Sequence, residues 1–134
     1  MLKTELLENL QNKRDKLNKV VNQIKEQGSE NEIIEKKWYL KDVIAHISYY
    51  ENEVVKVLPA KSMEGKVFWK KADDERNKEI YAETTNFSLL EITDRANQIF
   101  NDLFQETTNL SQNELDNPFP GMKRHIDDFI AGLT

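Results

Sequence analysis

Residues 40–58 read LKDVIAHISYYENEVVKVL, and this stretch decides the fold. Its apolar side chains recur three, four and seven positions apart, which is the spacing of one face of an α-helix. The stretch therefore predicts a helix whose buried face is formed by Leu40, Val43, Ile47, Tyr50, Val54 and Val57/Leu58. Pro59 is expected to end this helix, because proline has no backbone N–H to continue the hydrogen-bonding pattern.

Two further long helices are predicted on either side of this stretch. Residues 2–27 carry a stripe of leucine, valine and isoleucine at the same spacing, and Gly28 follows where helices commonly end in a left-handed residue. Ser88 and Glu91 form a capping box, which predicts a helix that continues to about residue 107. Shorter helical segments are predicted over residues 73–82, 111–115 and 122–134, with a loop over residues 59–72.

The predicted fold class is all-α. No segment alternates apolar and polar residues in the manner of a strand, so no strands are predicted. A chain of 134 residues is about the length of one domain. Amphipathic helices bury their apolar stripes by packing together, so we expect residues 1–134 to form a single four-helix bundle with a short fourth helix.

The composition excludes several classes of protein and site. The chain has no cysteine, which excludes disulfides, thiol nucleophiles and thiolate metal ligands. It has no uninterrupted apolar run of membrane-spanning length, and its first ten residues, MLKTELLENL, include acidic residues that a secretory signal would lack. A cytoplasmic protein with no membrane association is therefore expected.

The charge distribution argues against nucleic acid as a partner. Residues 81–120 contain seven acidic residues and one basic residue, a net charge of −6 that would repel a phosphate backbone. The pairs Lys36-Lys37 and Lys70-Lys71 are flanked by acidic residues. We expect both pairs to be solvated surface, because a phosphate footprint needs several bases on one face.

Candidate catalytic residues are few, because the chain has only two histidines. Asp42, His46 and Tyr50 are four residues apart and share one face of the predicted helix. His46 borders the apolar stripe, so it could be a metal ligand, a general base or a hydrogen-bonded core residue, and spacing alone favours the core residue. His125, near the start of the last predicted helix, is expected to lie at the surface.

Residues 38–47, WYLKDVIAHI, resemble the DinB/YfiT-like four-helix-bundle superfamily, whose second helix commonly carries a Trp, a Lys-Asp pair and a His in this arrangement. Four later stretches resemble its ClbS/DfsB branch. They are residues 74–81 (DERNKEIY), 87–92 (FSLLEI), 110–115 (LSQNEL) and 128–134 (DFIAGLT).

This resemblance implies an up-down-down-up bundle and a protein that modifies or detoxifies reactive small molecules, with hydrolase chemistry in some relatives. Many members of the superfamily hold a divalent metal with one histidine on the second helix and two on the fourth. His46 matches the first ligand, but residues up to Thr134 contain no counterpart of the other two. A divalent metal is thus implied by the resemblance, whereas the two histidines of this chain predict no high-affinity metal site.

Together, the resemblance and the residues predict a pocket near His46. His46 would be the catalytic base or metal ligand, oriented by Asp42 or Tyr50. The other predicted pocket residues are Trp38, Asn77 and Tyr81. The alternative is a non-catalytic bundle that binds a ligand or a protein partner, in which His46 is structural.

The short fourth helix also predicts an assembly. A helix of about 12 residues cannot cover a first helix of about 25, so stripe residues such as Leu17, Val21 or Ile99 would stay exposed. We therefore expect a homodimer that covers this groove.

Overall fold

The structure is a computed structural model that describes residues 1–35 and 38–133, and it confirms the predicted all-α fold. Within these residues, no helix is both long enough and apolar enough to span a membrane. A 3₁₀ turn lies at Val67–Lys70. The helices are α1 (Lys3–Glu26), α2 (Leu40–Ala60), α3 (Asp73–Thr84), α4 (Leu89–Asn109), α5 (Gln112–Leu115) and α6 (Ile126–Ala131).

Contacts between helix ends give the direction of each helix. The Lys3 side chain donates to the Thr108 carbonyl at 3.0 Å, so the start of α1 lies at the end of α4. The Met1 ammonium lies 2.8 Å from Asp127, so α6 starts beside the start of α1. Val21, near the end of α1, packs in one cluster with the first halves of α2 and α4. The four helices α1, α2, α4 and α6 therefore run up-down-down-up, with α3 in the connection between α2 and α4.

The predicted capping signals are present. The Ser88 hydroxyl accepts the Glu91 backbone N–H at 3.1 Å, and the Glu91 carboxylate accepts the Ser88 N–H in return. Ser111 and Glu114 form the same reciprocal pair at the start of α5. Gly28 follows α1 at φ +69°, a conformation that glycine adopts without steric cost. These local signals set the helix boundaries as the sequence predicted.

The larger of the two core clusters lies at the end where α1 begins and α2 ends, and the smaller one, around Val21 and Ile44, lies at the opposite end. Side chains of α1, α2, α4 and α6 meet in the larger cluster, and the loop between α5 and α6 closes it. Its fully buried members are Leu6, Val54, Val57, Leu58, Leu103, Leu115, Ile126 and Ile130.

The predicted buried face of α2 is confirmed at Leu40, Val54, Val57 and Leu58, but it differs between residues 43 and 51. The residues that face the core are Ile44, Ala45, Ser48 and Glu51, whereas Val43, Ile47 and Tyr50 are only half-buried. The face is rotated because α2 packs chiefly on α4, so the residues toward α4 are covered most completely. The helix also continues past Pro59 to Ala60, because proline's fixed φ fits a helix and only one hydrogen bond is lost.

Three other predictions are wrong. The last helix spans only Ile126–Ala131, because the Met122 and Ile126 N–H groups donate to the carbonyls of Phe119 and Asn117 in a turn instead. Strands were not predicted, yet Ile33–Glu35 and Trp38–Tyr39 pair antiparallel, in segments too short to show an alternating pattern. None of the three stripe residues predicted to be exposed is so: Val21 is 7% exposed, and Leu17 and Ile99 are half-buried. The predicted surface pair Lys36-Lys37 lies outside the described residues.

Candidate functional site

A cleft of about 310 Å³ lies between the first half of α2 and helix α3. Its walls are mostly apolar, with a few polar groups. The cleft is lined by Trp38, Asp42, His46, Asn77, Lys78, Ile80, Tyr81 and Thr84. Five of the six residues predicted for the site from the sequence therefore lie around one cavity. Tyr50 is not among them.

The half-buried His46 ring packs against two aromatic rings. Its centroid lies 5.0 Å from that of Trp38 and 4.9 Å from that of Tyr50, both tilted by about 50°. These contacts restrict how the imidazole can rotate. An imidazole held in this way at the wall of a cleft can accept a proton from a bound molecule or donate one to it.

Asp42 lines the cleft and also stabilises the start of α2. Its carboxylate accepts the backbone N–H of Tyr39 at 3.1 Å, which caps the first turn of α2. A negative charge in the first turn also stabilises the helix through the helix dipole. Asp42 therefore fixes the start of the helix that carries His46 one turn later.

Asn77 brings an unsatisfied hydrogen-bond acceptor to the cleft wall. Among the described residues, its Oδ1 atom is buried and has no hydrogen-bond partner. A buried acceptor without a donor costs about 1–3 kcal/mol, so a bound molecule with a donor group would relieve this cost. Tyr81, one turn later on α3, is 61% exposed and forms the rim of the cleft.

Tyr50 belongs to a second cavity that shares only His46 with the first. This cavity of about 470 Å³ also reaches Trp69 and Phe129. Tyr50 packs against Phe68 with ring centroids 5.3 Å apart, and Trp69 packs against Phe129 at 5.0 Å. The aromatic side chains thus form a continuous row from Trp38 through His46 to α6.

The described residues do not reproduce the three-histidine metal site that the resemblance implies. Only His125, Asp127 and Asp128 bring three potential ligand atoms together, within 4.8 Å of one another, and His46 is not among them. The Asp127 carboxylate in this group is paired with the Met1 ammonium. Although burial opposes its ionisation, this ammonium and the Asp128 N–H lower the pKa of Asp127. Among the residues described, His46 therefore does not belong to a group of three potential metal ligands.

The sequence interpretation missed one buried ion pair, Arg14 with Glu51. Burial lowers the pKa of Arg14 and raises that of Glu51, while each charge partly offsets the shift of the other. A signal for Arg14 was present in the sequence. It stands between Leu10 and Leu17 in the apolar stripe of α1, a position where a charged residue must be buried with a partner.

Comparison with known proteins identifies one family. The sequence model of the DinB family matches residues 1–124. No curated protein and no solved structure gave a significant match.

Proposed function

The chain belongs to the DinB family, and from this premise we propose that it is a small-molecule-modifying, detoxifying hydrolase-like protein of the ClbS/DfsB type. The observation that carries the proposal is the mostly apolar cleft that His46 and Asn77 both line, where the buried Asn77 Oδ1 has no hydrogen-bond partner among the described residues. Its volume is at the lower end of the range of small-molecule sites, about 300–1,000 Å³. The substrate is a compact apolar electrophile with one hydrogen-bond donor.

In this proposal His46 is the general base. Its neutral imidazole takes a proton from a water molecule, and the water oxygen then attacks the electrophilic carbon of the substrate. The bond to the leaving oxygen breaks, and the imidazolium returns its proton to that oxygen. Trp38 and Tyr50 hold the imidazole ring, Asp42 positions the helix, and the Asn77 carbonyl accepts the donor of the substrate. No step is assigned to a metal ion, since the described residues do not place His46 in a group of three potential ligands.

The alternative is a non-catalytic bundle that binds a ligand or a partner protein. The two ring contacts of His46 favour it, because an imidazole packed against Trp38 and Tyr50 also serves as an ordinary structural residue. Under this alternative the cleft still binds a small molecule, but His46 transfers no proton.

Substitution of His46 separates the two functions. We expect His46→Ala to lower turnover of a reactive cyclic ester or a similar electrophile by about 100-fold or more, since a lost general base costs that much. The midpoint of thermal unfolding should change little. The measurement is hydrolysis across a panel of such compounds, with thermal unfolding of the same preparations.

His125→Ala is the matched control, because His125 is exposed and lies outside the cleft. It should leave turnover unchanged. A lower unfolding midpoint in His46→Ala with no effect on binding or turnover would favour the alternative.

Elemental analysis after dialysis against a weak chelator is expected to find no stoichiometric zinc or nickel. Near-stoichiometric metal that is lost in His46→Ala would replace the metal-free mechanism.

We also propose that the protein is cytoplasmic, binds no nucleic acid and forms a homodimer. Support for the dimer comes from helix length, because α6 has 6 residues and α1 has 24. The Ala131 carbonyl, at the end of α6, accepts a hydrogen bond from Lys13, which lies near the middle of α1. The second half of α1 therefore extends beyond α6. Light scattering at tens of micromolar should give twice the mass of one chain. A monomeric mass would contradict the dimer.

A further inference from the structure

A separate, partly open cavity of about 230 Å³ lies between α1, α2, α4 and α6. It shares no residue with the cleft beside His46. Most of its wall is apolar. These apolar residues are Leu10, Leu17, Ile47, Phe100, Ile130 and Leu133.

The polar part of this cavity is Lys13, whose ammonium donates to the Ala131 carbonyl at 2.7 Å, together with the pair Arg14 and Glu51, which are 7% and 8% exposed. The Arg14 guanidinium is well satisfied: it donates to the Ala96 carbonyl at 2.7 Å and lies 4.7 Å from the centre of the Phe100 ring. Glu51 is not. Its Oε1 atom lies 3.6 Å from Arg14 Nη2, beyond hydrogen-bond distance, and has no hydrogen-bond partner among the described residues.

Size and polarity together define what this cavity can hold. A dry cavity of about 150 Å³ lined by leucine, isoleucine and phenylalanine is large enough for benzene, so this one has room for a single ring with a small substituent. A buried carboxylate oxygen without a donor is costly, and a neutral O–H or N–H group would satisfy it. A carboxylate ligand would be repelled by Glu51 and would find the cations Arg14 and Lys13 already donating to the carbonyls of Ala96 and Ala131.

We propose that this cavity is a second ligand site, selective for a neutral single-ring molecule with a hydrogen-bond donor, as in the phenols. The ring occupies the space between Leu10, Leu17 and Phe100, and its O–H donates to Glu51. The site is independent of the function assigned to the cleft, because its residues come from another part of the bundle.

The direct test compares phenol with toluene, which has the same size and shape but no donor. Binding is followed by the backbone amide NMR signals of the protein. Phenol should shift the amides around Leu10, Leu17 and Phe100, and it should bind about tenfold more tightly than toluene, since a hydrogen bond to a charged group contributes at least that factor. Benzoate should not bind there.

Two variants make the test specific. Leu17→Phe places a ring in the cavity and should abolish phenol binding, and Leu17 is only half-buried, so the fold should tolerate it. The double variant Arg14→Met/Glu51→Leu should bind toluene and phenol with equal affinity. His46→Ala should bind phenol with unchanged affinity, so this result does not depend on whether the function proposed for the cleft is correct. Equal affinity for toluene in the wild-type protein, phenol binding that survives Leu17→Phe, or shifts confined to the cleft would overturn the proposal.

Discussion

Glu51→Leu is expected to lower the free energy of unfolding by about 3–5 kcal/mol, because it leaves a buried positive charge without its counter-charge. Arg14 is 7% exposed and lies among apolar side chains of α1 and α4. Without Glu51, the guanidinium keeps the hydrogen bond to the Ala96 carbonyl and the contact with the Phe100 ring, and neither group carries a full negative charge. Urea unfolding followed by circular dichroism would measure the loss.

The double variant Arg14→Met/Glu51→Leu is the matched control. It removes both charges and keeps similar side-chain volumes, so we expect most of the lost stability to return. Comparing the two variants distinguishes the cost of an unpaired charge from the cost of changed packing. If the double variant were as unstable as Glu51→Leu, packing rather than charge would explain the effect.

The long helices could be predicted from the sequence because their signals are local. The capping boxes at Ser88 and Ser111 act within one helical turn, and each sets a helix start correctly. The rotated face of α2 could not be predicted, because the residues that become buried depend on how α4 lies against them. Ile44 and Ile47 are equally apolar, and only the tertiary packing selects Ile44 for the core.

In the candidate site too, some residues could be placed from the sequence spacing and others could not. His46 and Asp42 are one helical turn apart, so their shared face follows from the sequence. Asn77 and Tyr81 lie on another helix, and the family resemblance rather than the spacing placed them beside His46. Glu51 was missed because the predicted buried face of α2 did not include it.

Arg76 on helix α3 contacts the 3₁₀ turn and, through Phe68, supports the Tyr50 ring of α2. Its guanidinium donates to the Phe68 carbonyl at 3.0 Å and to the Trp69 carbonyl at 2.8 Å, which fastens the 3₁₀ turn to α3. It also lies 5.2 Å and 5.4 Å from the centres of the Phe68 and Trp69 rings. Phe68 in turn packs on Tyr50, the ring that contacts His46. Arg76 is therefore a positioning residue for the candidate site.

Arg76→Ala is expected to lower the free energy of unfolding by about 2–4 kcal/mol, because two charged hydrogen bonds and the ring contacts are lost together. Near-UV circular dichroism should weaken as the Trp69 environment loosens, and turnover in the cleft should fall through the displaced Tyr50. Arg76→Lys should restore little, since an ammonium cannot reach both carbonyls as the planar guanidinium does. Arg95→Ala is the control, because Arg95 is an exposed arginine that stacks on one ring, Phe87, at 4.5 Å. Equal losses in the Arg76 and Arg95 variants would show that Arg76 contributes only surface packing and does not hold the aromatic row in place.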